Sequence, residues 1–398
     1  MRIATANAFD IGVDALTSRQ ADLSEAQVRL ASGKRVAKAS DDPAAAARAE
    51  HALAGILRSD TSQRAVDAAR TAMSQTETAL ADAGGLLQQA REAIVASGNA
   101  SYGDPERQAL AEQLKAIRSQ LLDVANRSDG AGTYLFAGQG ATQKPFADVP
   151  GGVQFVATTG HLATEKTTAL PLSSDGSATW LSAPTGNGVF ETRAAAGVKT
   201  ATIDNGQVLD PALLTGSDYT LQFASSGGTT TYAVLKDGLP TAVTAAPYVT
   251  GQSIDIDGMR ISVSGSPANG DQFEIVPSTH TLSVFATLDR AIADLSTPGR
   301  TGDQIAQSTA DGLRDMDSVM GTMQAARSLV GAMLNRADSE TDRLASAKLI
   351  SQTEQSAAED LDMVEAISTF QAKQSGYDAA LKSYSMVQRL SLFQYLSG

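Results

Sequence analysis

The sequence predicts an α+β protein: a long antiparallel helical rod, or coiled-coil bundle, made from both chain ends, with a central β-rich insert. Near each terminus apolar residues recur at heptad spacing, which is typical of helices that pack along a narrow seam. Between them, Gly, Thr and Ser are frequent and apolar residues alternate with polar ones, as in β-strands. The predicted domains are a terminal coiled-coil core (1–42 and 358–398), a helical rod (43–136 and 281–357) and a β-rich outer insert (137–280).

The first predicted helix runs from about Thr5 to Ser32. Its apolar stripe contains three leucines seven residues apart and two residues that extend it: Phe9, Val13, Leu16, Leu23 and Leu30. Gly33 is expected to end the helix, since glycine readily adopts the left-handed conformation that follows a helix C-terminus. Residues 34–40 are then expected to form an extended link to the next helix.

The second predicted helix begins at an Asp-Asp-Pro sequence. Asp42 is the expected N-cap and Pro43 the first helical residue, where a missing backbone N–H is tolerated. Apolar residues seven apart then continue along the helix: Val66, Met73, Leu80, Leu87 and Ile94. Residues 97–99 should end it, and Asp104 before Pro105 is expected to cap a third helix in the same way. The apolar residues of that third helix step by four and three: Leu110, Leu114, Ile117, Leu121 and Val124.

The insert is expected to open with a strand-like stretch at residues 134–136 and to close with a strand at 270–275. A two-residue turn at 257–258 predicts a hairpin. The turn would pair two sets of apolar residues on one face: Ile254 with Ile261, and Ile256 with Met259. Residues 219–223 should pair with residues 232–234, and two registers fit equally well. The pattern leaves open whether the insert is one compact unit or two.

Helix is predicted again from Leu282 to about Ala357. One apolar stripe extends along it: Ile305, Met316, Val319, Met323, Val330, Met333 and Leu344. A terminal seam follows in steps of four and three: Met363, Ile367, Phe370, Gln374, Tyr377, Leu381 and Tyr384. Because the insert returns the chain to the place where it left, both rods and both ends are expected to lie side by side.

Composition narrows the classes of function. The net charge of −13 argues against nucleic acid or an anionic membrane surface as a partner. The absence of cysteine excludes disulfides, thiolate metal sites and cysteine nucleophiles. No apolar run is long enough for a membrane helix, and acidic residues interrupt the N-terminal segment, so neither a membrane span nor a cleaved signal peptide is expected.

No catalytic, cofactor-binding or metal site is predicted, and we expect a protein that is not an enzyme. His51, His161 and His280 are isolated in the sequence, which favours surface or capping roles. Residues 32–34 lack the upstream glycine of a phosphate-binding loop. Residues 255–258 lack the third acidic position and the closing glutamate of a calcium loop, and the hairpin explains them better.

The two terminal seams point to self-assembly. A seam at the extreme end of a chain has little of its own domain to pack on, so it needs the other end or another molecule. Amphipathic helices in an ordinary core show similar spacing, but seams that persist over four segments favour a long bundle. The candidate assembly interface contains eleven residues: Phe9, Val13, Leu16, Leu23, Leu30, Met363, Ile367, Phe370, Tyr377, Leu381 and Tyr384.

Three parts of the chain resemble bacterial flagellins and their relatives. Residues 29–36 (Arg-Leu-Ala-Ser-Gly-Lys-Arg-Val) and 40–44 (Ser-Asp-Asp-Pro-Ala) resemble the N-terminal signature of that family. Residues 327–336 (Arg-Ser-Leu-Val-Gly-Ala-Met-Leu-Asn-Arg) resemble its C-terminal rod motif, and residues 359–362 (Glu-Asp-Leu-Asp) are similar to the acidic start of its last helix. The resemblance covers both helical parts of the chain and is less specific in the insert.

Three details favour the hook-associated protein 3 branch of this family over the filament flagellins. Pro43 follows the Asp-Asp pair, residues 132–138 resemble that branch's entry into its β domain, and residues 391–396 resemble its ending. The resemblance implies a structural protein that links the flagellar hook to the filament and is required for filament assembly and motility.

The resemblance also implies partners and a location. The implied partners are further copies of the chain in a ring, hook-associated protein 1, flagellin and a cytoplasmic export chaperone. The implied route is export in an unfolded state by the flagellar type III apparatus, without a cleaved signal peptide, to the extracellular hook–filament junction. Two alternatives stay open: a filament flagellin, and a secreted ligand-binding protein or enzyme that uses residues 137–280.

Overall fold

The structure is a computed structural model that describes residues 2–130, 132–139, 143–164 and 169–396, with side chains described between residues 10 and 386. The fold class is confirmed as α+β, since helices from both chain ends flank a central antiparallel β region. The described residues form seven α-helices: α1 (Arg2–Ser32), α2 (Pro43–Ser97), α3 (Asp104–Ala125), α4 (Gly176–Trp180), α5 (Val284–Ser296), α6 (Gly302–Glu359) and α7 (Met363–Leu396).

The described strands form three antiparallel sheets. Two of the strands make a separate hairpin: β1 (Phe146–Val149) and β2 (Gly152–Phe155). The other ten are β3 (Phe190–Ala194), β4 (Ala201–Ile203), β5 (Gln207–Val208), β6 (Tyr219–Ser226), β7 (Thr229–Lys236), β8 (Leu239–Pro240), β9 (Ala246–Pro247), β10 (Ser253–Ile256), β11 (Met259–Gly265) and β12 (Gln272–Pro277). The larger sheet has the order β3-β12-β6-β7-β8 with β9 also on β7, and the smaller has the order β10-β11-β4 with β5 also on β11.

The chain forms two compact units. The terminal unit comprises the residues up to Arg64 and those from Glu340 onward, and the central unit comprises Ala65–Ser339. This division falls inside α2 and α6, so it differs from the three domains expected from the sequence, whose boundaries stay a prediction.

The end of α1 and the start of α2 lie where the sequence predicts them, whereas α1 begins at Arg2, three residues earlier than expected. Gly33 follows α1 with a φ of 67°, and its N–H donates to the Arg29 carbonyl oxygen at 2.9 Å. Asp42 caps α2, because its Oδ1 accepts from the N–H groups of Ala44 at 3.1 Å and Ala45 at 3.0 Å. Both signals act within four residues of the helix end, which is why the sequence shows them.

The link between these helices is not extended, contrary to the prediction. Residues 34–40 fold into successive turns, because Asp41 Oδ2 accepts from the backbone N–H groups of Ala37 at 3.1 Å and Lys38 at 2.9 Å. The Asp41 N–H in turn donates to the Lys38 carbonyl oxygen at 3.0 Å. The hydrogen bond from Lys38 is the main cause that lowers the pKa of the Asp41 carboxyl.

Most residues of the predicted apolar stripes lie in the helical core, meaning here the buried apolar cluster of the central unit that α2, α3, α5 and α6 build with the loop, strand and helix residues packed on them. The five heptad residues of α2, from Val66 to Ile94, are each at most 2% exposed. Leu114 of α3 and Met316 of α6 are fully buried with them. Alanines occupy most of the other buried positions of α2, so the helices can pack closely.

Two helix boundaries differ from the prediction. α3 begins at Asp104, but its N-cap is Gly103, whose N–H donates to Glu106 Oε2 at 2.9 Å. Asp104 is already inside the helix, and its Oδ2 accepts from the Gly299 N–H at 3.2 Å. The single helix expected after the insert is interrupted at residues 297–301, where a Thr-Pro-Gly sequence ends α5 before α6 begins.

An aromatic cluster attaches the first part of the expected insert to the helical core. Trp180 of α4 stacks on Phe285 of α5 with ring centroids 5.9 Å apart, and Phe136 meets Trp180 edge-on at 5.4 Å. Phe146 of β1 lies 6.2 Å from each of Trp180 and Phe285. Residues 134–136 are therefore not a strand, contrary to the prediction, because burial of the Phe136 ring draws them into the helical core.

Residues 190–277, called the β module below, have their own apolar core. Leu221, Ile261 and Phe273 are fully buried in it, apart from the helical core. The expected insert is thus divided: β1, β2 and α4 pack in the helical core, and β3 to β12 make the β module. The final strand lies at Gln272–Pro277, two residues later than predicted.

Turn chemistry sets the registers inside the β module. The turn at residues 257–258 is confirmed, with φ values of 41° and 81° at its two residues. Its predicted pairs are confirmed as well: Ile254 with Ile261, and Ile256 with Met259. In the hairpin with the open register, Gly227 and Gly228 form a two-residue turn with φ values of 61° and 84°, and Leu221 pairs with Val234.

Candidate assembly interface

Helices α1 and α7 pack against each other in the terminal unit, as the sequence predicts for the two chain ends. Backbone hydrogen bonds join their bases: the Leu361 N–H donates to the Gly33 carbonyl oxygen at 2.9 Å, and the Arg35 N–H donates to the Glu359 carbonyl oxygen at 2.7 Å. Farther along the pair, Lys373 Nζ donates to a backbone carbonyl oxygen of α1 at 3.4 Å.

The pairing covers the two seams incompletely. No residue in 10–32 or 363–386 is buried. Six of the predicted interface residues are half-buried: Leu16, Leu23, Leu30, Phe370, Tyr377 and Tyr384. Four are exposed: Val13 (38%), Met363 (45%), Ile367 (44%) and Leu381 (39%). The side chain of Phe9 lies outside the described residues.

Apart from Met363, which is exposed at the start of the half-buried line, the half-buried and exposed residues of α7 follow separate heptad lines. On α7 the half-buried line contains residues seven apart: Phe370, Tyr377 and Tyr384. The exposed line also has a spacing of seven: Ile367, Gln374 and Leu381. A helix in a coiled coil packs with both lines, whereas within this chain one line of α7 is half-buried and the other is exposed.

Further large apolar side chains widen the exposed surface of the terminal helices. Ile11 is 61% and Val28 56% exposed on α1, and Val364 is 78% and Met386 64% exposed on α7. Single exposed apolar residues are ordinary on a protein surface, so it is their number on one pair of helices that makes this pair the candidate interface.

Two glycines face side chains of the opposite helix. A Cβ atom built on Gly376 would lie only 2.8 Å from Arg19 Nη1, so the glycine makes room for this guanidinium. A Cβ atom on Gly12 would lie 3.5 Å from the Tyr384 ring, an ordinary contact. The sequence stripe does not reveal Gly376, because its role depends on a residue of the opposite helix.

Arg35 ties the base of the helix pair to the neighbouring turns. Its Nη2 donates to the Ala358 carbonyl oxygen at 2.8 Å, and its Nη1 lies 3.4 Å from Asp42 Oδ2. The hydrogen bond from the Ala45 N–H, with a smaller contribution from Arg35, lowers the pKa of the Asp42 carboxyl. The segment that resembles flagellins therefore positions α1 and α7 at the start of α2 and the end of α6, a role that its sequence alone did not show.

The histidines, the acidic side chains and the helix lengths bear on other kinds of site. His51, His161 and His280 are all exposed. In the described part of the chain, no group of three or more His, Asp or Glu side chains is arranged to hold a metal ion. A search of the described helices finds none with the length and apolar character needed to cross a membrane.

Family models match both helical parts of the chain. The bacterial flagellin N-terminal helical region matches residues 4–141, and the bacterial flagellin C-terminal helical region matches residues 313–396. A third model, the D2-like domain of flagellar hook-associated protein 1, matches residues 192–277, almost the whole β module.

Two proteins named flagellar hook-associated protein 3 are among the relatives. The one from Salmonella typhimurium is 34% identical over a match of 160 residues, 38% of this chain. The match spans about half (48%) of that relative's length. The one from Escherichia coli is 25% identical over 99% of both chains. The polar flagellin F of Vibrio parahaemolyticus is 28% identical over 31% of this chain and 33% of its own.

Solved structures of similar proteins share the fold. The flagellar hook-associated protein 3 of Legionella pneumophila has a TM-score of 0.70 and 27% identity, over 76% of this chain and 97% of its own. The FlgL protein of Xanthomonas campestris has a TM-score of 0.68 and 29% identity, over 77% of this chain and 99% of its own.

Proposed function

The chain belongs to the flagellin superfamily, and from this premise we propose that it is the structural protein that joins the flagellar hook to the filament. Both flagellin helical regions match it, and together they cover more than half of the chain. A relative that matches over 99% of both chains, and solved structures at 27–29% identity that match over 97–99% of their own length, are named hook-associated protein 3 or FlgL. The proposal gives the chain a structural role in motility and no enzymatic one.

The structural observation that best supports this proposal is the exposed heptad line of α7. Ile367 and Leu381 are 44% and 39% exposed although their spacing is that of a coiled-coil seam. Apolar surface of this kind gains free energy when a second helix covers it, at about 25 cal/mol per Å² buried. A ring of identical subunits supplies that second helix from the next copy of the chain.

Partners and location follow from the same role. We propose that the chain contacts its own copies, hook-associated protein 1 on the hook side and flagellin on the filament side. We further propose that an export chaperone holds the terminal helices before export, and that the flagellar export apparatus carries the chain to the cell exterior. Secretion of the chain should then stop when that apparatus is disabled.

A second candidate function is the filament flagellin itself. The similarity to the polar flagellin F of Vibrio parahaemolyticus favours it, although that similarity covers less than a third of the chain. The two functions differ in copy number and place, because a junction protein occupies one level of the flagellum whereas a flagellin occupies the whole filament.

A single cysteine label distinguishes these functions. The chain contains no cysteine, and Leu239 in the β module is 70% exposed, so Leu239→Cys creates one accessible thiol. Flagella from a strain that carries only this variant should bind a maleimide dye in one narrow band where the filament meets the hook. The wild-type chain, which offers no thiol, is the control.

Two results would contradict the junction role. Continuous label along the filament would assign the chain to the filament. Normal filaments on cells from which the gene has been deleted would show that it is not needed for filament attachment. Hooks without filaments, with flagellin shed into the medium, are the expected phenotype.

A further inference from the structure

The β module is joined to the helical core by two adjacent passages of the chain, residues 184–189 and 278–281, which follow Ala183 and precede Leu282 of that core. Backbone hydrogen bonds hold these passages side by side, as between the Thr185 N–H and the Thr279 carbonyl oxygen at 2.9 Å. Two short passages that run together fix where the module is attached. They do not fix its orientation, because they can bend together as one hinge.

The apolar cores stop on either side of this hinge. In the described part of the chain, the core of the β module and the helical core have no buried residue in common. Polar contacts between domains permit relative motion, whereas a large apolar contact would prevent it. The orientation of the module therefore depends on the polar contacts beside the hinge.

Side chains at the start of α6 provide these contacts by hydrogen-bonding to backbone atoms of the β module. Gln307 is 8% exposed, and its Oε1 accepts from the Ile203 N–H at 2.7 Å. Thr301 Oγ1 donates to the Lys199 carbonyl oxygen at 2.6 Å. Thr301 immediately precedes α6 and Gln307 lies in its second turn, so the two bonds join the start of α6 to β4 and to the residue Lys199 just before it.

Arg314 provides the charged part of the attachment. Its side chain is 6% exposed and lies 2.9 Å from Asp311 and 3.0 Å from Asp315, both on α6. Toward the module, its Nη1 donates to the Thr192 carbonyl oxygen at 3.3 Å and its Nη2 lies 3.7 Å from Glu191. Buried charges of this kind hold their partners in place, since separating them leaves a charge without compensation.

The remaining charged groups of the cluster face the same space. Arg290 of α5 pairs with Asp315 at 2.6 Å, and Arg193 of β3 pairs with Glu191 at 2.6 Å. Burial raises the pKa of Asp311, in spite of the nearby Arg314. A cavity of about 570 Å³ open to solvent lies beside the cluster, between the module and helices α5 and α6. The cavity offers room for the module to move and gives water access to the cluster.

We propose that Arg314 and Gln307 form a polar latch that sets the orientation of the β module, and that releasing it lets the module swing as a folded body about residues 184–189 and 278–281. Both apolar cores stay intact in this motion, because neither includes the latch. The inference does not depend on the proposed function, since it concerns the isolated chain.

Distances between spin labels test the latch in the purified full-length chain, which has no cysteine of its own. Leu239→Cys labels the β module and Val95→Cys labels α2, at side chains 70% and 50% exposed. The latched chain should give one narrow distance distribution. Arg314→Met, added to this pair, should give a distribution about twice as broad or a second distance, because the module samples other orientations.

Arg327→Met is the matched control. Arg327 is also on α6 and pairs with Glu77 of α2 at 2.6 Å, without contacting the β module, so its loss should leave the distance narrow. Hydrogen exchange must show β6 and β12 as protected in Arg314→Met as in the wild type. An unchanged distance in Arg314→Met, or the same broadening in Arg327→Met, would overturn the proposal. Loss of protection throughout the β module would overturn it too, because the module would then unfold and not swing.

A second variant tests the latch even if Arg314→Met does not fold. Gln307→Leu removes the acceptor of the Ile203 N–H without leaving a buried charge, and should also broaden the label distance while β6 and β12 stay protected. If Gln307→Leu folds and keeps the narrow distance, the latch does not set the orientation of the module and the proposal fails.

Discussion

Ser283 controls the start of α5 and, through it, the aromatic cluster of the helical core. Its Oγ accepts from the N–H groups of Phe285 at 3.2 Å and Ala286 at 3.4 Å. These N–H groups have no partner inside the helix, so the cap is worth about 1 kcal/mol. Ser283→Ala should lower the free energy of unfolding of the central unit by about that amount, and its melting temperature by about 2–4 °C. Trp180 fluorescence is a suitable probe, since the indole stacks on Phe285.

Ser283→Thr is the matched control for this change. Threonine keeps the hydroxyl that accepts the two hydrogen bonds, so its melting temperature should stay close to that of the wild type. Equal losses in the Ala and Thr variants would show that the effect comes from packing and not from the cap.

Distance along the chain decides which single residues the sequence can predict. The helix start at Asp42 and Pro43 is predictable because the N–H groups that Asp42 caps lie within three residues of it. Asp104 before Pro105 has the same local sequence pattern, yet the N-cap is one residue earlier. The Glu106 carboxylate accepts a hydrogen bond from the Gly103 N–H, which makes Gly103 the N-cap. No local pattern could pair Arg314 with Glu191, because the folded β module brings them together.

Helices and strands were predictable wherever periodicity and turn chemistry agree. The heptad residues of α2 are buried, and the pairs of the hairpin at residues 257–258 are those expected from its turn. The break between α5 and α6 was missed, because the apolar stripe resumes after it. Periodicity also identified the seams of α1 and α7 but could not say which of their residues the chain itself covers.

Substitutions on the two heptad lines of the terminal helices should have different effects. Leu381 lies on the exposed line, so Leu381→Asp should leave the melting temperature of the monomer within about 1 °C of the wild type and block incorporation into the flagellum. Leu23 is half-buried on the inner side of the pair, so Leu23→Asp should block incorporation and also speed hydrogen exchange along α1. Filament counts on complemented cells and hydrogen exchange of the monomer measure the two effects.

Leu239→Asp is the control for these helix variants. Leu239 is as apolar and more exposed, at 70%, but it lies in the β module, so filament counts should stay normal. Normal incorporation of Leu381→Asp would remove the exposed line from the assembly interface. A large loss of monomer stability in the same variant would show that the chain already covers this line.

At the scale of the whole molecule, the chain has a β module that its helical core does not need for packing. The sequence could not show this, because glycine-rich strands continue from residue 137 to residue 280 without an obvious boundary. The structure places the boundary at Val189 and Ser278, where the Ser278 N–H donates to the Val189 carbonyl oxygen at 3.0 Å. Phe146 and Trp180, on the near side of that boundary, belong to the helical core.

This boundary predicts that the β module can be removed without unfolding the rest of the chain. Replacing residues 190–277 by Asn-Gly should close the gap, because Val189 and Ser278 are already neighbours and Asn-Gly favours a two-residue turn. The shortened chain should keep the helical circular dichroism and the Trp180 fluorescence of the parent. Arg314 and Asp315 then become solvent-exposed, where their charges are hydrated and need no buried partner.

A longer deletion, of residues 146–277, is the control for that experiment. It also removes Phe146 and Trp180, which fill the helical core next to Phe285, so it should unfold at a much lower temperature. If the short deletion also unfolds, the two apolar cores are not independent, and the module cannot swing as a folded body. If the short deletion folds and restores filaments, both terminal helices and the helical core suffice for the junction. The β module then adds to the outer surface of the flagellum and not to the attachment of the filament.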